Sequence, residues 1–130
     1  MKKTIWITGG STGIGKALAI RFANEGWNVA ISARRENLLK ELSDKYENIS
    51  PFPLDVTDKE NCKNIFNQVK EKFGEIDICF FSTGTWDPKK EKDIDVEQIE
   101  NVFKINFFGT VNSIKAVEEY YKNRNEGTIA

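Results

Sequence analysis

Between Thr8 and Gly15 the chain reads Thr-Gly-Gly-Ser-Thr-Gly-Ile-Gly, and this stretch constrains the fold more than any other. An apolar run, Thr4-Ile5-Trp6-Ile7, precedes it, and Lys16 to Ala23, with helical spacing, follows it. That context predicts a strand, a glycine turn and a helix start. Lacking a Cβ, Gly9 can turn the chain sharply at positive φ, while Gly13 and Gly15 let backbone come close to a ligand. The free N–H groups and the positive dipole end of the helix then favour an anion, most simply a pyrophosphate.

Glycine spacing separates the candidate sites. A P-loop needs Gly-x-x-x-x-Gly-Lys-Ser/Thr, and no Lys-Ser/Thr pair follows here. The common dinucleotide fingerprint is Gly-x-Gly-x-x-Gly, whereas the glycines here stand at 9, 13 and 15. The bland alternative is a strand-to-helix turn that binds nothing.

The totals exclude several classes. A chain of 130 residues holds one ordinary core and is too short for two typical domains. Nineteen basic against twenty acidic residues leave a net charge of −1, which gives no electrostatic footprint for nucleic acid. The apolar run after Met1-Lys2-Lys3 is too short for a signal peptide or a membrane span, so the sequence reads as cytoplasmic. Two cysteines, Cys62 and Cys79, fit a reducing compartment. The chain contains no histidine, which argues against zinc and rules out a Ser-His-Asp triad or a histidine base.

Taken in order, Ile14, Ala17, Leu18 and Phe22 predict the face of a first helix packed on the sheet, stopped by Gly26. Asn28 to Ala33 reads as a second strand buried on both sides. Leu38, Leu39, Leu42 and Tyr46 line a second helix. Ile49 to Leu54 reads as a third strand whose two prolines confine it to an edge. Cys62, Ile65, Phe66, Val69 and Phe73 line a third helix closed by Gly74, and Asp77 to Phe81 forms a fourth, central strand. Lys89 to Asp93 is mixed in charge and reads as solvated loop. Trp86 before it is a loop anchor or, alternatively, a substrate-side or subunit contact. Asp95 and Gln98 predict an N-cap and its partner, opening a long helix with apolar residues from Val96 to Val117 spread around it. Such a helix should be buried on more than one side. Glu126 to Ala130 enters a fifth strand.

Arg34 and Arg35 follow the second strand. In a βαβ dinucleotide unit an acid at this place binds the ribose hydroxyls of NAD, and an arginine nearby accommodates the 2′-phosphate of NADP. Ala33 stands where the acid would be, and two guanidiniums follow, so NADP is expected in preference to NAD. The alternative is that both arginines are solvated residues opening the next helix.

With Thr8 in front, the 9-13-15 glycine pattern resembles the short-chain dehydrogenase/reductase family. The resemblance implies a doubly wound parallel α/β sheet, Rossmann-like, with strand order 3-2-1-4-5, over a single dinucleotide-binding domain. It implies coenzyme contacts from Thr8, Gly9, Ser11, Thr12, Gly13, Ile14 and Gly15. Leu54-Asp55-Val56 is similar to the family's acid-valine pair, in which the Asp55 carboxylate would accept from the adenine amino group and the Val56 backbone would hold the ring. Thr57 with Glu60 also makes a capping box, and both readings can hold. Phe81-Ser82-Thr83-Gly84 stands where the family usually has Asn-Asn-Ala-Gly. Gly84 is kept, and Ser82 offers a smaller polar group where an asparagine would tie strands together. Ser82, Thr83 and Gly84 therefore complete the expected coenzyme set.

Asn106-Phe107-Phe108-Gly109 matches the family's Asn-x-x-Gly. A buried asparagine and an interior glycine each cost a helix stability, about 1 kcal/mol for the glycine, which predicts close packing and a polar task. In the family this asparagine holds a water that links the catalytic lysine to solvent, making Asn106 the catalytic candidate here. The alternative is an asparagine capping a local kink. The family's catalytic serine and Tyr-x-x-x-Lys pair would follow the fifth strand, and neither Tyr120 nor Tyr121 has a lysine four residues on. The sequence is therefore expected to be a truncated part of a longer oxidoreductase acting on a small carbonyl or alcohol, inactive alone and prone to form homo-oligomers through its uncovered edge and helix. A non-catalytic NADP-sensing module is the runner-up. An extended sugar-nucleotide epimerase fits less well, since its turn usually has Gly-x-x-Gly-x-x-Gly.

Overall fold

The computed structural model describes residues 2–88 and 92–130. Its elements run β1 (Thr4–Thr8), α1 (Gly13–Asn24), β2 (Asn28–Ser32), α2 (Glu36–Lys45), β3 (Ile49–Pro51), α3 (Lys59–Phe73), β4 (Ile78–Phe81), α4 (Val96–Phe103), a π-helical turn (Lys104–Phe108), α5 (Gly109–Arg124) and β5 (Thr128–Ile129). All five strands pair in parallel in the order β3-β2-β1-β4-β5. This is a doubly wound, Rossmann-like sheet. Its order reverses between β2 and β4, on either side of β1, and such a reversal opens a crevice beyond the strands' carboxyl ends.

Period-two alternation sends β1 side chains to opposite layers. Ile5 and Ile7 join Val29, Ile31, Ala19, Leu39 and Leu42 under α1 and α2. Trp6 faces the other way, into Phe66, Val69, Cys79 and Val117 beneath α3 and α5. Fully buried, Trp6 meets the Phe66 ring at 5.7 Å and the edge of Phe81 at 5.8 Å. Its indole N–H is satisfied by the Ser32 hydroxyl at 2.9 Å. Burying side chains of this size contributes about 1.5–3 kcal/mol each, and β1 supplies several of them from the middle of the sheet.

The prolines explain the edge. Pro51 pairs opposite Ile31 in a strand with one neighbour, and the Phe52 and Leu54 amides continue the ladder to Ile31 and Ala33. Cys62 and Cys79 are buried, free thiols. Burial pushes their pKa values up to about 11 and about 12 respectively.

Three expectations about the helices' faces and caps need correction. The face α1 buries is Gly15, Ala19 and Ala23, with Leu18 and Phe22 half-buried at its flanks; Ile14 is 75% exposed and Ala17 is exposed. Small residues in that row let the helix axis lie close to the sheet, a requirement that outweighs the size of the apolar side chains. The α3 N-cap is Asp58, accepting from the Asn61 amide at 3.1 Å, because the Thr57 amide and hydroxyl are both engaged by the Asp55 carboxylate. The long helix is not enclosed: Ile99, Phe103, Phe107, Val111 and Ile114 are 39–58% exposed.

Asp95 caps α4 as expected, accepting from the Gln98 amide at 3.1 Å, while the Gln98 side chain turns to the Asp87 carbonyl. Of the expected solvated loop, Lys89 to Glu91 lie outside the described residues; Lys92 and Asp93 are exposed. Trp86 is 63% exposed, so it does not serve as a buried anchor. Tyr120 and Tyr121 have structural work: the first accepts from the Ile76 amide and the second donates to the Ile76 carbonyl, both at 3.0 Å.

Candidate functional site

The glycine turn sits at the carboxyl end of β1. Gly9 has φ +69°, and a Cβ there would lie 2.7 Å from the Ser82 carbonyl oxygen, so both conformation and space demand glycine. Gly13 has φ +56° and open space on its side-chain side. Gly15 is glycine for a reason other than ligand approach: a Cβ there would collide with the Gly9 carbonyl and the Ser82 hydroxyl. The first turn of α1 is packed directly against the loop that precedes it. Among the described residues, Thr12 at the N-cap makes no side-chain capping bond and the first turn carries no acid. The amino end of α1 is left with donors and a positive dipole end facing outward.

In front of that end lies a cleft of about 580 Å³. The turn lines it through Gly9, Ser11, Thr12, Gly13, Ile14 and Gly15; the segment after β2 supplies Arg34 and Arg35; the segment after β3 supplies Asp55 and Val56; the segment after β4 supplies Ser82, Thr83 and Gly84. Thr8 stands behind the wall, buried, with its carbonyl accepting the Ser82 amide at 3.2 Å and the Ser82 hydroxyl at 2.7 Å. Ser82 therefore does tie β4 to β1. Its hydroxyl proton is spent on that bond.

Both arginines are exposed at the rim, and Arg35 is also the N-cap of α2, so opening the helix and facing the cleft are compatible. The Asp55 carboxyl is held below its ordinary pKa, first by the Thr57 hydroxyl at 2.7 Å, against a burial penalty, then by the Thr57 amide, Arg34 and Lys104. Those two bonds go to Oδ1. The carboxylate is kept anionic with a fixed orientation.

Asn106 is exposed rather than buried. It lies in the π-helical turn, and such widened turns recur at functional sites. Its Oδ1 accepts from the Thr85 amide at 2.7 Å and its Nδ2 donates to the Thr85 carbonyl at 3.0 Å. Both polar groups of one cleft residue are thus pinned by one side chain. Gly109 closes the turn, and a Cβ there would lie 2.6 Å from Val56 Cγ2, the close packing that an interior glycine implies.

A coenzyme with a pyrophosphate and a phosphorylated adenosine fits these residues. The turn offers uncapped donors, the rim offers two guanidiniums, and the Thr83 hydroxyl, on the cleft wall, is buried with no partner among the described residues. Among the described residues no group of three or more His, Cys, Asp or Glu could hold a metal ion, and no helix is long and apolar enough to cross a membrane.

Residues 3–130 match the family described as short chain dehydrogenase. The chain belongs to the short-chain dehydrogenase family. It is 31% identical to the (S)-acetoin-forming diacetyl reductase of Staphylococcus epidermidis, over 99% of this chain and 52% of that protein. It is equally similar, 31%, to the glucose 1-dehydrogenase of Gluconobacter oxydans, over 98% of this chain and 50% of that one. The solved structure of ElxO with NADP bound superposes with a TM-score of 0.88 at 30% identity, covering 99% of this chain and 54% of ElxO. The chain spans about half the length of the curated relatives it matches.

Ser32, Leu54, Thr85 and Ile105 also line the cleft, and no motif in the sequence marks them. Thr85 directly follows the Ser82-Thr83-Gly84 segment, so extending that motif by one residue would have found it. Ile105 depends on the phase of the π-helical turn, which no apolar repeat announces.

Proposed function

We propose that the chain is the coenzyme-binding part of an NADP-dependent oxidoreductase that interconverts a small carbonyl compound and its alcohol. The observation that carries this reading is the convergence, on one cleft, of the glycine turn, Arg34 and Arg35 beyond β2, and the anionic Asp55 beyond β3. The bound nicotinamide would supply the hydride chemistry. This chain's residues would bind and orient it: the amino end of α1 receives the pyrophosphate, Arg34 and Arg35 the 2′-phosphate, and Asp55 with Val56 the adenine. Thr83, Gly84 and Asn106 stand on the nicotinamide side, Asn106 acting through the Thr85 backbone. The 130 residues contain no Tyr-x-x-x-Lys, and the reading is that they bind coenzyme without turning substrate over.

The reading extends to a cytoplasmic setting, in which both cysteines stay reduced, and to a homo-oligomer formed over the exposed apolar face of α4 and α5. NADP bound to ElxO, a similar chain, supports the choice of coenzyme. The test is calorimetric titration of the chain at low salt. NADPH should bind more tightly than NADH, and Arg34→Ala should remove most of the difference, about 10–100-fold for a lost charge-assisted phosphate bond. Equal affinities in the unmutated chain would refute the assignment.

A further inference from the structure

The Val56–Thr57 peptide group is held from both ends. Its carbonyl accepts from Asn112 Nδ2, on α5, at 2.9 Å, and from the Cys62 thiol at 3.7 Å. Its N–H, the Thr57 amide, donates to Asp55 Oδ1 at 3.0 Å. A peptide unit is rigid and planar, so a bond that orients its carbonyl also orients its N–H, and with it the carboxylate that the N–H holds. The Val56 side chain is packed between the cleft and Gly109, three residues before Asn112 on the same helix. Asn112 is half-buried and does not line the cleft.

We propose that Asn112 is a positioning residue for the adenosine half of the coenzyme, acting through the Val56–Thr57 peptide plane on the Asp55 carboxylate. The inference rests on the coenzyme reading given above. One helix thus braces both ends of the cleft: Asn106 fixes Thr85 and Asn112 fixes Val56, on either side of Gly109. Removing the Asn112 donor leaves the Val56 carbonyl with the weak thiol alone and lets the peptide plane rotate, so that Asp55 no longer presents its outer oxygen to a ligand in one orientation.

The experiment uses two half-coenzymes, adenosine 2′,5′-bisphosphate and reduced nicotinamide mononucleotide, titrated by NMR into the chain and into Asn112→Leu. The variant should bind the adenosine bisphosphate about tenfold more weakly, one hydrogen bond's worth, and the nicotinamide half unchanged. General loosening of the fold would weaken both, and unchanged affinity for the adenosine half would also overturn the proposal. Should Asn112→Leu not fold, the unmutated chain answers directly: its Asn112 side-chain amide resonances should shift on saturation with adenosine 2′,5′-bisphosphate, and unmoved resonances would refute it. Failure of the unmutated chain to bind either half would instead bring down the coenzyme reading itself.

Discussion

The Ser82 hydroxyl donates to the Thr8 carbonyl at 2.7 Å, joining the carboxyl ends of β4 and β1 behind the glycine turn. The same hydroxyl is one of the atoms that a side chain on Gly15 would strike. Strand ends, turn and helix start are therefore one packed unit, and the shape of the cleft follows from it. Ser82→Ala should cost about 1 kcal/mol, as expected for one intramolecular hydrogen bond, measured by urea unfolding.

Gly15→Ala should be worse. Its methyl group must displace the Gly9 carbonyl or the Ser82 side chain, an overpacking that costs about 1–3 kcal/mol. Since the displaced groups shape the proposed pyrophosphate seat, NADPH binding in calorimetry should disappear while far-UV circular dichroism stays native.

Asp55 sets a pH dependence. Its folded pKa lies below the ordinary 3.8, through the Thr57 hydroxyl first. A depressed carboxyl contributes stability that is fully present above its unfolded pKa and is lost as pH falls through the lower folded value. Unfolding free energy should therefore drop below about pH 4 more steeply in the native sequence than in Asp55→Asn. Parallel profiles between pH 2 and 7 would contradict this.

Both thiols should be silent. With pKa values raised to about 11 for Cys62 and about 12 for Cys79, and both side chains buried, no useful thiolate forms near neutrality. A thiol-reactive disulfide reagent at pH 8 should find no fast-reacting group in the native chain and both thiols after denaturation.

The apolar face of the long helix should make the chain self-associate. Phe103 and Phe107 are 58% and 56% exposed on neighbouring turns. Phe103→Glu with Phe107→Glu should shift sedimentation toward monomer while far-UV circular dichroism stays native, because neither ring is buried in this chain.

The cleft was legible because each of its walls is announced locally, by residues at fixed distance from a strand's carboxyl end. Gly9, Gly13, Arg34, Asp55 and Ser82 all stand within a few residues of β1, β2, β3 or β4, and the parallel topology brings those ends together. What escaped depends on choices made across the fold. Thr57 and Asp58 were both chemically able to cap α3, and the outcome turned on the Thr57 hydroxyl being taken by Asp55. The inward face of α1 is set by closeness to the sheet, so Gly15 and Ala19 are buried and Ile14 is not, which apolar periodicity alone does not announce. Asn106 is exposed where the helix pattern implies burial, because its partner Thr85 lies 21 residues away in a loop that periodicity cannot position.

The widened turn from Lys104 to Phe108 also gives this segment one residue of slack. A single π-helical turn holds one residue more than an α-helical turn, while the helices on either side keep their phase. Deleting one of its five residues would leave regular winding, with Val117 and Ser113 still inside and Tyr120 and Tyr121 still on Ile76. The same deletion within α5 would turn every residue beyond it by about 100°. Shortening by one residue is thus admissible at this turn and barred beyond it.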